Sequence, residues 1–179
     1  MQGMQPLRTY EYLTLARSRV FDWVRPLGEE QYSRKFPTWA RTIGQTLTHI
    51  MICEWYYVQR ILRRDVAPYE QWPIQDENPP PFAVLEKEWR KQANETEAAL
   101  AGVRDWSAPI EFRVTSDDGR KMIVTSSASD QFTQLVLHEV HHRSQVMNML
   151  RILGTTVDDI DFNWMMHKRR EVEEAETNA

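Results

Sequence analysis

Apolar and aromatic residues at Leu7, Tyr10, Leu13, Ala16, Val20 and Val24 recur at steps of three and four, the spacing of one face of an α-helix. They predict a first amphipathic helix that ends near Pro26 and Gly28. After a turn at Phe36-Pro37-Thr38-Trp39, the most apolar stretch of the chain predicts a second helix from about Thr42 to Arg64, carrying Ile43, Leu47, Ile50, Tyr57, Ile61 and Leu62. From Asp65 to Pro81 the chain holds Pro68, Pro73 and Pro79-Pro80-Pro81, which excludes regular structure and predicts an extended crossover within one domain. Phe82, Leu85, Trp89 and Leu100, set among paired charges, predict a third helix over Phe82 to Leu100 closed by Gly102.

The one strand signal follows. Phe112-x-Val114 and Met122-x-Val124 alternate with period two on either side of Thr115-Ser116-Asp117-Asp118-Gly119, and predict a β-hairpin from Glu111 to Thr125. Two strands alone make no stable sheet. The cluster Ser126-Ser127-Ala128-Ser129 supplies N-caps for a fourth helix from about Asp130 to Leu153, stopped by Gly154. A fifth helical segment, about Asp161 to Glu176, runs into the charged tail Arg169 to Glu176 and is expected to be partly exposed. No internal repeat is present. Helices that cannot hide their own apolar stripes are best satisfied by packing on one another. The expected fold class is therefore all-α, a four-helix bundle with a β-hairpin before the last long helix and a C-terminal helical segment.

Composition narrows the picture. The 179 residues suit one domain spanning residues 1–179, large enough to bury a core without disulfides, and the single cysteine, Cys53, cannot form an internal bridge. No apolar run approaches the roughly 18 residues of a membrane span, and Pro6 and Arg8 break up the N-terminus, so a cytoplasmic protein with no membrane partner is expected. With 22 Lys+Arg against 26 Asp+Glu, a net charge of −4, and with its basic residues scattered, the chain lacks the basic stripe of a nucleic-acid binder.

The histidines carry the chemistry. His138 and His142 are four apart and lie within about 40 degrees on one helical face, so both imidazoles can reach one ion. Gln134, Gln145 and Met149 share that face, a polar stripe where a packed helix should be apolar. Two imidazoles buried without partners would cost about 1 to 3 kcal/mol each; metal ligation removes that cost, and so does solvent exposure. His49 interrupts the apolar second helix and shares a face with Thr42, Gln45, Cys53 and Tyr56, so that one ion could bridge the two helices. Three imidazoles leaving open positions describe a catalytic site, since structural sites are four-coordinate and Cys-rich. Cys53 reads as a small buried residue or as a fourth ligand, and Tyr56, Gln45 and Gln134 as groups bordering a cavity. His141 and His167 read as surface groups or as groups that sit behind a ligand.

The string His138-Glu139-Val140-His141-His142 also satisfies H-E-x-x-H, the zinc-peptidase pattern in which the glutamate is the base. That reading needs a sheet beside the motif helix and a third ligand downstream, where only His167, Glu171, Glu173 and Glu174 are candidates. Glu139 points about 60 degrees from His142. It is a catalytic candidate, an acceptor behind a ligand, or a surface residue.

An isolated histidine in the second helix, a hairpin before the last long helix, and His138-Glu139-Val140-His141-His142-Arg143-Ser144-Gln145 followed by Leu150 and Gly154 resemble the DinB family, the DinB/YfiT-like group of metalloenzymes. The resemblance spans most of the chain and implies an up-down-down-up four-helix bundle with a three-histidine metal site. The family signature reads H-x-x-x-H-R-G-Q. By position the ligands are His49, His138 and His142, Arg143 and Gln145 match the flanking residues, and Ser144 departs from the glycine. The family name refers to induction by DNA damage, which concerns expression and implies no DNA contact. The resemblance implies a divalent zinc or nickel ion, a small-molecule substrate, a homodimer, and an enzyme that activates water or a low-molecular-weight thiol cosubstrate: a thiol-dependent transferase, isomerase or hydrolase. The contrasting expectation is a non-catalytic bundle that holds a small ligand or a partner helix.

Overall fold

The structure is a computed structural model that describes residues 5–36, 41–115 and 118–170. Four long helices dominate: α1 (Pro6–Val24), α3 (Ile43–Ile61), α4 (Phe82–Ala101) and α5 (Ala128–Ile152). Helix α1 packs on α4 and α5, and α3 packs on the same two. Their stripes meet in one core, where Leu13, Ala16, Ile43, Leu47, Leu85, Trp89, Val146 and Met149 are almost fully buried. Each large apolar side chain removed from water contributes about 1.5–3 kcal/mol.

The ends of these helices follow from the chain. Thr42 caps α3 in a reciprocal box: its hydroxyl accepts from the Gln45 N–H (3.0 Å) and the Gln45 side chain accepts from the Thr42 N–H (3.1 Å). Gln45, placed by its face beside the histidines, is therefore occupied at the cap. Ser127 caps α5 by accepting from the Asp130 N–H (3.1 Å), so the helix starts two residues before the expected Asp130. Gly154, at φ +84°, lets the Thr155 N–H turn back onto the Leu150 carbonyl (3.0 Å) and ends the helix. Arg63 makes the same left-handed turn after α3 without being glycine (φ 57°), and its guanidinium donates to the Pro109 carbonyl (2.8 Å), tying the end of α3 to the hairpin.

Strands β1 (Pro109–Thr115) and β2 (Lys121–Ser127) pair antiparallel with Phe112 opposite Val124, as the alternation predicts. The tip residues 116–117 lie outside the described ones, as does the turn Pro37-Thr38-Trp39. Three expectations change. A short helix α2 (Glu29–Tyr32) precedes α3, with Tyr32 packed so closely on Gly44 that a Cβ there would sit 2.7 Å from its ring. The crossover is not wholly irregular, because Tyr69–Gln71 form a 3₁₀ turn. Among the described residues the C-terminal segment is helical only as α6 (Phe162–Met166); residues 167–170 are not helical, and 171–179, with Glu171, Glu173 and Glu174, lie outside the described residues. Among the described residues no helix is long and apolar enough to cross a membrane.

One polar knot sits inside the core. Arg17 bridges Glu54 (2.5 Å) and Glu139 (2.6 Å), and Arg143 reaches Glu139 at 3.4 Å and donates to the Tyr12 hydroxyl at 2.6 Å. Glu54 also accepts from Tyr10 (2.9 Å), Thr96 (2.9 Å), Trp89 (3.2 Å) and Gln92 (3.3 Å). The knot takes residues from all four long helices and satisfies nearly every donor it buries.

Candidate metal centre

Helices α3 and α5 carry His49, His138 and His142 to their common seam, all three half-buried. Ring centroids lie 4.9 Å apart for His49 and His138, 4.8 Å for His49 and His142, and 4.4 Å for His138 and His142. The Nε2 atoms of His49 and His138 are 3.2 Å apart. Cys53, one turn after His49, places Sγ 3.9 Å from the His49 ring nitrogens. His49, Cys53 and His138 each offer a ligand atom within 4.8 Å of the others, a grouping that leaves out His142 despite its ring contacts.

The surroundings select tautomers. His49 Nδ1 lies 3.0 Å from Asp76 Oδ2, which assigns the proton to Nδ1 and leaves Nε2 with a free lone pair. His142 Nδ1 faces the Gln145 carbonyl oxygen at 2.8 Å, with the same outcome. Asp76 is itself held by Arg41 (3.0 Å) and by the Tyr69 hydroxyl, which also touches Glu77. Burial alone would push the Asp76 carboxyl up, but hydrogen bonds from His49 and Tyr69, with the charge of Arg41, hold it well below the usual carboxylate range. It is an anion at any working pH.

His138 and His142 are kept neutral. Burial first, then the neighbouring His142 and His49, lower His138 to about 3. Burial also lowers His142, against the opposing hydrogen bond of Gln145. Burial, reinforced by the charge of Asp76 and partly offset by Arg41, pushes the Cys53 thiol up to about 12. Two neutral rings and a protonated thiol therefore face one another at pH 7. A spacing of 3.2 Å between Nε2 atoms is what two imidazoles sharing one cation at about 2.0–2.1 Å adopt, so the donor set fits a divalent transition metal.

The remaining candidates are spread out. Gln134 donates to Tyr57 (3.4 Å), whose ring meets His138, so Gln134 does border the seam. His141 is exposed beside Gln145, and His167 is exposed against Phe162. Glu139 is 2% exposed and bound to Arg17 and Arg143 in the core knot. The residue that sequence reasoning missed is Asp76. It comes from the proline-rich crossover, where no periodicity points to a partner.

Four long helices, a hairpin and an imidazole cluster at the α3/α5 seam define a helical protein with a candidate metal site. The chain belongs to the DinB family, whose model matches residues 2–176. A DinB-like protein of Bacillus subtilis, YjoA, is similar in structure with a TM-score of 0.62 at 15% identity, covering 83% of this chain and 94% of that one. A DinB-like protein of Bacillus cereus has a TM-score of 0.59 at 19% identity, covering 84% and 94%. At such identities the likeness concerns fold. No curated protein matches the sequence.

Proposed function

We propose that His49, His138 and His142 hold one divalent cation, zinc or nickel, and that the protein is a metal-dependent enzyme acting on a small molecule, as a thiol-dependent transferase, isomerase or hydrolase. The observation that carries this reading is the 3.2 Å approach of two Nε2 atoms from different helices, with His49 oriented by a buried carboxylate. When bound, such a cation supplies Lewis acidity that draws the pKa of a thiol or water toward neutrality. The chain's own part is to keep three lone pairs converging, to hold Nδ1 protons at Asp76 and Gln145, and to leave the seam half-open for a substrate. The up-down-down-up arrangement belongs to the same reading; the packing of α1 and α3 each on α4 and α5 supports its four-helix core. The peptidase alternative loses its base, because Glu139 is spent on Arg17 and Arg143.

Cys53 supports a second ligand set, since its sulfur rather than His142 completes the tightest group of donor atoms. Elemental analysis and competition with a chelator separate the two. The protein is expected to take up about one equivalent of metal, as a single open catalytic site does. His142→Ala should weaken it sharply while Cys53→Ala leaves it intact; the reverse result makes Cys53 the third donor, and metal-free protein of unchanged stability points to a binding module.

Asp76 should matter at one remove. Asp76→Ala is expected to lower metal affinity roughly 10–100-fold, the usual effect of removing the carboxylate behind a ligating histidine, and Asp76→Asn should recover part of it by still accepting from Nδ1. Equal affinities for all three proteins, by the same competition assay, would remove Asp76 from the site.

A further inference from the structure

The face of α3 that carries His49 and Cys53 continues through Tyr56 to Arg60. Arg60 is 7% exposed and stacks between the Tyr56 ring (4.8 Å) and the Phe112 ring of β1 (4.5 Å). Its Nη2 donates to the Tyr56 hydroxyl (3.3 Å), its Nε is buried with no acceptor, and it forms no ion pair among the described residues. The other buried arginines of the core, Arg17 and Arg143, both reach carboxylates. Stacking on aromatic rings returns only part of the hydration a guanidinium gives up, so a buried cation with an orphaned N–H lacks an anion.

Its position says what the anion belongs to. The Tyr57 ring touches both the Tyr56 ring and that of His138, so contacts run unbroken from the imidazoles to the arginine. Eleven helical positions separate His49 from Arg60, about 16 Å between Cα atoms. We propose that Arg60, with the Tyr56 hydroxyl, binds the carboxylate or phosphate end of an elongated small molecule whose other end lies at the histidine cluster. Its meaning for catalysis rests on the metal-enzyme reading, in which a remote anionic anchor places the reacting end. Anion binding itself needs no metal.

The test uses chelator-treated protein, with succinate and inorganic phosphate as probes against chloride at matched ionic strength. The Arg60 Nε–H resonance, assigned by its loss in Arg60→Gln, is expected to shift saturably with at least one probe, and the stronger probe identifies the end group. Arg60→Gln, with binding in both proteins read from the backbone amide shifts of Tyr57 and Phe112, should weaken it roughly tenfold or more, in keeping with loss of a charged hydrogen bond. No saturable shift with either probe, or equal binding by Arg60→Gln, overturns the proposal. If Arg60→Gln does not fold, Tyr56→Phe serves: weaker binding supports the site and unchanged binding counts against it. Anion binding by a protein that takes up no metal would sink the metal reading and leave this site standing; metal uptake without anion binding does the opposite.

Discussion

Replacing Glu54 by leucine is expected to destabilise the fold by about 3–5 kcal/mol, as does removing one partner of a buried ion pair. The loss has two parts. Arg17 keeps its charge inside the core with only Glu139 to answer it, and Tyr10, Thr96, Trp89 and Gln92 each lose an acceptor that no water can replace. Burial and the nearby Glu54 charge keep the Tyr10 phenol protonated in the native protein, so it stays a donor with nothing to donate to. Arg17→Met should cost a similar amount by leaving Glu54 and Glu139 as neighbouring buried carboxylates. The double variant should fall well short of the sum, with a coupling above about 1 kcal/mol for residues in one network. Denaturant unfolding of the two single variants and the double measures it. Single losses under about 1 kcal/mol would mean that the knot is far wetter than its burial implies.

His138→Ala should abolish metal uptake. Its ring contacts both other imidazoles, and its removal takes away a direct donor, so affinity should fall by more than the roughly 100-fold ceiling of a change behind a ligand. Wild-type affinity in this variant would end the three-histidine reading. The same substitution should alter acid stability in metal-free protein. His138 titrates near 3 in the fold against an ordinary 6.5, so below pH 6.5 the unfolded chain takes up a proton that the native ring refuses. Its contribution is therefore intact above pH 6.5 and is lost progressively as pH falls toward 3. A full shift is worth about 1.4 kcal/mol per pH unit; the ring is partly open to solvent, which reduces this to a loss on the order of 1–2 kcal/mol by about pH 4.5. Unfolding curves between neutral and mildly acid pH should be flatter for His138→Ala than for the native sequence. Parallel curves would mean that the native ring protonates freely.

The parts of the molecule that were legible in the sequence are those with a local signature. Periodic apolar stripes predicted the long helices, the Asp118-Gly119 step and its alternating flanks predicted the hairpin, and the four-residue interval of His138 and His142 predicted a shared face. What escaped depends on distance along the chain. Arg17 meets Glu54 and Glu139 at separations of 37 and 122 residues, and a charged residue on a helix carries no local mark of burial. Glu139 shows the consequence: its motif context suggested chemistry, while its partners give it a place in the core. Asp76 lay in a stretch without periodicity, and the α2 turn was too short for a stripe. The C-terminal helix was expected to run on past Met166 because the composition stays helical, whereas residues 167–170, the last described ones, are not helical.

The crossover delivers Asp76 to a ring rooted in α3, so two separate parts of the chain set up that imidazole. The packing of α3 on α5 gathers the imidazoles, while which nitrogen of His49 keeps its proton depends on the proline-stiffened strap that carries Asp76. Substitutions confined to that strap would leave the helical scaffold in place while changing how the His49 ring is held, so the cluster can be retuned without rebuilding the bundle.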